Sequence, residues 1–384
     1  MRTFTLPLFT FLLLLTKLSL FAQTTEVIIL EEVEEEEEET RSFQLSGYVD
    51  AYFQNVFTDL DNDFPDTPLR FPTSFTGVNG GAETRGFGVG NVNLLAEKTL
   101  GQVGFVGQIG FGPRANEANG AFPNLQQLYV TYSPSESVTF TFGQFGTFVG
   151  YEVIDATANM NYSMSYLFSY GPFFHTGLKA DFAIAEGFGA MVGIFDNTDS
   201  RFNNAGYYYG AQLSAEVGGL AAYLNFLTGT DQKDVLGDDN ATTFQVDLTA
   251  TYEVSETLMF GINASNKQTQ RLNGNGEVGD GDGFTGVALY STIGLSDAFA
   301  LSLRGEGFKV ADDPNTDTDG RNVLALTATG NFTIGDLRIM PELRFDGGGS
   351  SYDTRYSGNI INFGSENPED NSVASFILAA VYAF

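Results

Sequence analysis

The 384-residue sequence has no cysteine and no tryptophan, a single histidine, and only 18 Lys and Arg against 48 Asp and Glu. Without cysteine there is no disulfide, no thiolate nucleophile, no cysteine-held zinc or iron–sulfur centre and no lipidated N-terminal Cys. His175 alone cannot build a multi-histidine metal site. A formal net charge of −30 repels phosphate backbones and sets nucleic acid aside as a partner. Past the N-terminus no stretch approaches the ~18 consecutive apolar residues of a membrane-crossing helix. What the chain has is 45 Gly, 36 Phe and 17 Tyr at a mean hydropathy of −0.06. Disordered acidic chains are poor in aromatics. Glycine and aromatics at neutral hydropathy suit repeated half-apolar β-strands.

Residues 1–22 read as a secretory signal peptide. Arg2 supplies the positive start, Phe4 to Leu15 the apolar run, and Ala22 a small residue at the cleavage point, although Leu20 stands where a small residue is usual. The apolar run is short of the ~20 residues that a membrane anchor needs. Residues 23–42 form an acidic tail in which nine glutamates (Glu26, Glu31, Glu32, Glu34 to Glu39) face only Arg41. Such a block repels itself and buries no core, so it is expected to be a solvated periplasmic segment.

From Phe43 to Phe384 one pattern repeats. Phe43, Leu45, Gly47, Val49, Ala51 and Phe53 alternate with Gln44, Ser46, Tyr48, Asp50, Tyr52 and Gln54, giving a strand with one apolar and one polar face. Similar alternation predicts about 16 strands (14–18) from 43–56 to 372–384. Those at 86–98, 124–133 and 284–295 alternate poorly. Short links such as 99–101, 134–136 and 185–187 alternate strictly with long ones near 57–85, 113–123, 147–173, 198–205, 230–241, 268–283, 310–321 and 348–371. Tight turns on one rim and long polar loops on the other predict an all-β fold: a closed antiparallel transmembrane β-barrel over 43–384, with short periplasmic turns and long extracellular loops. Unpaired backbone is costly in lipid, so the sheet must close.

Phe384 ends a strand with apolar residues at every second position, resembling the signal that the outer-membrane barrel-assembly machinery recognises. Tyr151-Glu152-Val153-Ile154, Asn159, Asn161-Tyr162-Ser163 and Pro172-Phe173-Phe174-His175-Thr176-Gly177 resemble motifs of the beta-barrel porin-2 family. So do Leu303-Arg304-Gly305-Glu306 and Pro341-Glu342-Leu343-Arg344-Phe345-Asp346. Met164 departs from that pattern, where a basic residue would follow Tyr162-Ser163. The resemblance covers most of the chain outside the acidic tail. It implies residence in the cell outer membrane of a Gram-negative bacterium, in contact with lipid.

If the apolar face meets lipid, parity turns Asp50, Glu97, Lys179, Asp181, Glu216, Asp247, Arg304, Glu306, Arg338, Glu342, Arg344 and Asp346 toward the lumen, because charge facing lipid at mid-depth costs up to ~4 kcal/mol. They are read equally as a field lining a hydrated pore and as salt-bridge ladders between adjacent strands. The loop Thr147–Phe173 is too aromatic to lie free in solvent. It is expected to fold into the barrel and narrow it, with a short helix around Tyr162–Phe168. Its candidate constriction residues are Tyr151, Glu152, Asp155, Tyr162 and Tyr166, with His175 at its end.

Asp59 to Asp63 and Asp313 to Gly320 space oxygen ligands as calcium loops do, but neither completes the twelve-residue pattern, so solvated acidic loops are expected. Residues 274–283 read as a flexible loop. No catalytic, cofactor or metal site emerges: Ser163, Ser165, His175 and Asp181 lack an elbow motif, and Gly86 to Gly90 lies on a strand. The expected function is an outer-membrane porin giving passive diffusion to small hydrophilic solutes or ions. The alternative is a non-conducting barrel acting as a binding, adhesion or structural protein through its acidic loops or tail. Analogy with sixteen-strand porins suggests a homotrimer.

Overall fold

The computed structural model describes residues 43–57, 85–119, 124–201, 206–231, 241–272, 278–311, 321–348 and 372–384. The N-terminal address, the glutamate tail and the Asp-rich segments 59–63 and 313–320 lie outside them. Among the described residues are sixteen strands: β1 Gln44–Val56, β2 Arg85–Leu100, β3 Val103–Phe111, β4 Leu125–Ser135, β5 Val138–Gly146, β6 Phe174–Ala185, β7 Phe188–Phe195, β8 Tyr208–Val217, β9 Leu220–Asp231, β10 Ala241–Ser255, β11 Leu258–Leu272, β12 Val278–Ser296, β13 Phe299–Val310, β14 Arg321–Ile334, β15 Leu337–Gly348 and β16 Ser372–Ala383. Each pairs antiparallel with its successor, and β16 returns to β1 to close the barrel.

The seam is tied at its end. Gly47 and Phe384 exchange both backbone hydrogen bonds at 2.9 Å. A side chain at Gly47 would put its Cβ 2.3 Å from the Asn93 carbonyl and 2.9 Å from the Phe384 ring, so only glycine admits this approach.

Alternation sorts the two faces as a lipid-embedded barrel requires. On β13, Leu303 is 40% exposed while Arg304, Glu306 and Phe308 on the other face are buried. Leu324, Leu326, Leu343 and Phe345 continue the outward apolar surface onto β14 and β15.

The strands that alternate poorly in sequence each carry a shift of register. In β1–β2 it falls between Val49 and Ala51, in β3–β4 between Gln108 and Ile109, and in β11–β12 between Gln268 and Gln270. An extra residue at such a bulge reverses the facing of all that follow, so Val89 and Val92 both point outward. The bulge in β2 serves Asp50, whose carboxylate accepts the Asn91 amide at 2.6 Å. The predicted loop 268–283 is shorter than expected. β11 runs to Leu272 and β12 starts at Val278, so the segment read as flexible is partly strand. Polar, glycine-rich strand ends beyond the apolar band carry no alternation to betray them.

Two short helices lie in the long connections. α1, Pro113–Asn119, follows β3, and Pro113 opens it where the missing N–H costs nothing. α2, Tyr166–Tyr170, sits later than the expected 162–168 because Ser165 caps it, accepting the Phe168 amide.

Candidate functional site

The third long loop, here L3 (residues 147–173), leaves β5, enters the lumen and returns to β6. Its bonds reach strands around the barrel. The Gly150 amide donates to Asp247 on β10 at 3.0 Å, and Tyr151 stacks on Tyr290 of β12 with centroids 4.2 Å apart. Asp155 receives the Tyr48 hydroxyl and the Asn93, Gln108 and Gln126 amides, one from each of β1 to β4, at 2.9–3.4 Å. Asn161 donates to Thr329 on β14, and the Tyr162 hydroxyl to Asp50 on β1 at 2.6 Å.

Irregular backbone inside a barrel has no ladder to satisfy it, so each buried N–H needs another acceptor. Wall carboxylates supply them. Glu342 on β15 accepts the amides of Tyr162 and Ser163 at 2.8 and 3.1 Å together with the Thr329 hydroxyl at 2.7 Å. Glu306 on β13 accepts the amides of Tyr166 and Leu167 at 2.9 and 2.8 Å, at the start of α2 where negative charge is favoured. Within L3, Glu152 accepts the Ser165 amide at 2.7 Å. Arginines take the carbonyls: Arg304 binds Ser163 O, Arg344 Met164 O, and Arg338 the carbonyls of Ala156 and Asn159.

Among the described residues the ion pairs form no ladders between adjacent strands. Arg304 pairs with Glu152 of the loop at 2.5 Å, and Arg344 with Asp346 of its own strand at 2.8 Å. Nor do these side chains line open water: Arg304, Glu306, Glu342, Arg344 and Asp346 are each at most 2% exposed. The inward facing follows parity, but L3 covers the wall. Asp247 is equally enclosed, bonded to Asn225 and Asn263 at 3.0 and 2.6 Å. Lys179 and Asp181 form a pair at 3.0 Å that keeps side-chain exposures of 23% and 39%.

Apolar packing completes the seal. Tyr166 and Leu167 join Phe284, Tyr290 and Phe308, while Tyr162 and Ala156 meet Met340, Ile377, Ala379 and Val381. Each buried large side chain contributes about 1.5–3 kcal/mol. His175 is fully buried between the rings of Phe148 and Phe195 and hydrogen-bonded to Thr147 at 3.0 Å. Ser163 is engaged with Arg304 and Ser165 with the Phe168 amide.

Sequence reasoning missed the carboxamides Asn93, Gln108 and Gln126, and also Arg114. The guanidinium of Arg114 on α1 lies 3.7 Å from Asp50 and over the Tyr162 ring. The signal of the three carboxamides was inward polar parity on β2 to β4, obscured by bulges in β2 and β4. Among the described residues no group of three or more His, Cys, Asp or Glu could hold a metal.

Two loop carboxyls sit above the ordinary aspartate range. Burial raises Asp155 against its hydrogen bonds from Gln126, Gln108 and Tyr48. Asp199, which accepts the amides of Phe173 and Phe174 at the end of L3, is pushed up to about 6 by burial.

A closed sixteen-strand antiparallel barrel with an apolar outer face and a loop folded into its lumen is an outer-membrane barrel of the porin type. Residues 42–384 match the family model described as Putative beta-barrel porin-2, OmpL-like, and the chain belongs to that family. Among curated proteins none matches the sequence. Similar solved structures include an anion-selective porin from Comamonas acidovorans, 16% identical over 89% of this chain and 99% of that one, TM-score 0.58. The trimer form of OmpT from Vibrio cholerae is 12% identical over 89% and 99%, TM-score 0.57. The Salmonella typhi OmpF complex with daunomycin is 10% identical over 89% and 97%, TM-score 0.55. At these identities the likeness is one of fold.

Proposed function

We propose that the protein is a porin passing small hydrophilic solutes or ions passively, without enzymatic chemistry, through a lumen whose width L3 sets. The observation that carries this reading is the anchoring of L3: six of its amides end on buried carboxylates, four of them on Glu306 and Glu342 of the wall. A loop built this firmly into the lumen makes a fixed constriction rather than a loose surface loop. On this reading the signal peptide delivers the chain to the periplasm, Phe384 presents it to the assembly machinery, and three copies associate in the outer membrane. Pore-lining roles fall to the inward charges that keep solvent contact, among them Glu97, Lys179, Asp181, Glu216 and Arg338, while Tyr151, Glu152, Asp155, Tyr162, Tyr166 and His175 shape the constriction.

A second reading, a non-conducting barrel acting through its acidic loops or tail, draws on the enclosure of the inward charges on β13 and β15. Single-channel recording of the mature protein in a planar bilayer separates the two. Stable ohmic steps are expected; silence from a folded barrel would select the second.

A further inference from the structure

The arginines of the lumen are spent on L3, and this changes which charges an ion meets. Arg304 and Arg344 are at most 2% exposed and bonded to Glu152, Asp346 and L3 carbonyls, and Arg114 is enclosed beside Asp50. Arg338 directs its guanidinium to the carbonyls of Ala156 and Asn159.

The periplasmic third of the wall is different. Glu97 on β2, Lys179 and Asp181 on β6, and Glu216 on β8 face inward with partial exposure, and Glu253 on β10 is exposed. Tyr129, Thr131, Thr139, Gln212 and Tyr223 keep partial exposure beside them, so this region is a wet vestibule beneath L3. Asp181 already neutralises Lys179. Below it, five of the seven short turns present an exposed carboxylate, namely Glu136, Glu186, Glu256, Asp297 and Asp336. None of the seven turns carries Lys or Arg.

We infer that the periplasmic vestibule, through Glu97, Glu216 and Glu253, gathers cations and excludes anions, and so sets the charge preference of the channel; this rests on the porin reading. A mouth lined by one sign with low-dielectric walls focuses the field and concentrates counter-ions. Arg304 and Arg344, sealed beneath L3 and paired, contribute far less, because each is cancelled within a few ångströms, and Arg338 alone stands against the three carboxylates. The basic residues that sequence parity sends to the lumen therefore do not make it an anion path.

The test uses two readouts. Reversal potential in a salt gradient should favour cations by about tenfold for the wild type, the order expected of such a focused field. In the triple variant E97Q/E216Q/E253Q, which leaves the Lys179–Asp181 pair intact, the ratio should fall toward one. The second readout does not need conduction. The chain has no cysteine, so Thr139→Cys, paired in register with Asp181, puts a single thiol in the vestibule. A cationic methanethiosulfonate should modify it about tenfold faster than an anionic one, and the triple variant should remove the difference. Anion preference, or a triple variant unchanged in both readouts, would overturn the inference. A folded barrel that passes no current would overturn the porin reading, and the ratio of thiol rates would then decide the vestibule alone. Migration that shifts on heating checks that each variant has folded.

Discussion

Glu342→Gln tests the anchoring of L3 at its most concentrated point. The carboxylate is 1% exposed and accepts three bonds, from the Tyr162 and Ser163 amides and the Thr329 hydroxyl, at 2.8, 3.1 and 2.7 Å. Hydrogen bonds to a charged group contribute about 1.5–3 kcal/mol each. A glutamine with its oxygen at the Oε2 position keeps the Tyr162 and Thr329 bonds, but turns its NH2 group toward the Ser163 amide, so one bond is lost and the other two lose their charge. The lower bound is about 1.5 kcal/mol, which shifts the equilibrium between docked and released L3 roughly tenfold. The barrel ladder is untouched, and heat-modifiable migration should remain. Single-channel records should show larger or more frequent openings, and an added protease should cut within 147–173 faster than in the wild type. Wild-type gating together with wild-type resistance to cleavage would refute the idea that wall carboxylates hold the loop.

Arg304→Met should loosen L3 by about 3–5 kcal/mol, because it strands the buried Glu152 carboxylate, and adding Glu152→Leu should recover part of the loss; simple additivity in protease protection would argue against the pair. Gly47→Val should lower the fraction of heat-modifiable barrel, since its Cβ would meet the Asn93 carbonyl, and normal assembly would contradict the closure described. Packed L3 raises the carboxyls of Asp155 and Asp199, the latter to about 6. The packed state therefore binds protons more tightly than a released one, and its advantage is present at low pH and lost as pH rises through 6. Openings should be rarer at pH 4.5 than at pH 7.5, with Asp199→Asn flattening the dependence; the reverse trend would refute the assignment.

Barrel architecture was legible because lipid on one side and polar groups on the other impose a period of two on nearly every strand. Two of the exceptions had a cause that the pattern cannot display: a bulge, as at Asp50 and Asn91, swaps the faces along β2 and β4. L3 announced itself by its aromatic content, which solvent would not tolerate. Its partners stayed hidden. Parity tells which way Arg304 or Glu342 points but not whether something lies in front of it. The bonds from Glu342 to Tyr162 and from Glu306 to Tyr166 join residues 180 and 140 positions apart. Backbone amides, moreover, have no signature in a sequence.

Those separations also constrain the order of events as the protein is made. L3 emerges after β5, yet the acceptors of four of its amides lie on β13 and β15, and the Asp50 that holds Tyr162 belongs to β1 across the seam. Until the last strands have joined the first, those four amides have nowhere to go except water, because long-range contacts reward the chain only after the intervening segment is closed. A partly inserted sheet must therefore carry L3 as a solvated appendage, and zipping Phe384 onto Gly47 is what first builds a complete socket for it. Cell-envelope chaperones and proteases would meet that exposed aromatic loop on every unfinished molecule and lose sight of it on every finished one.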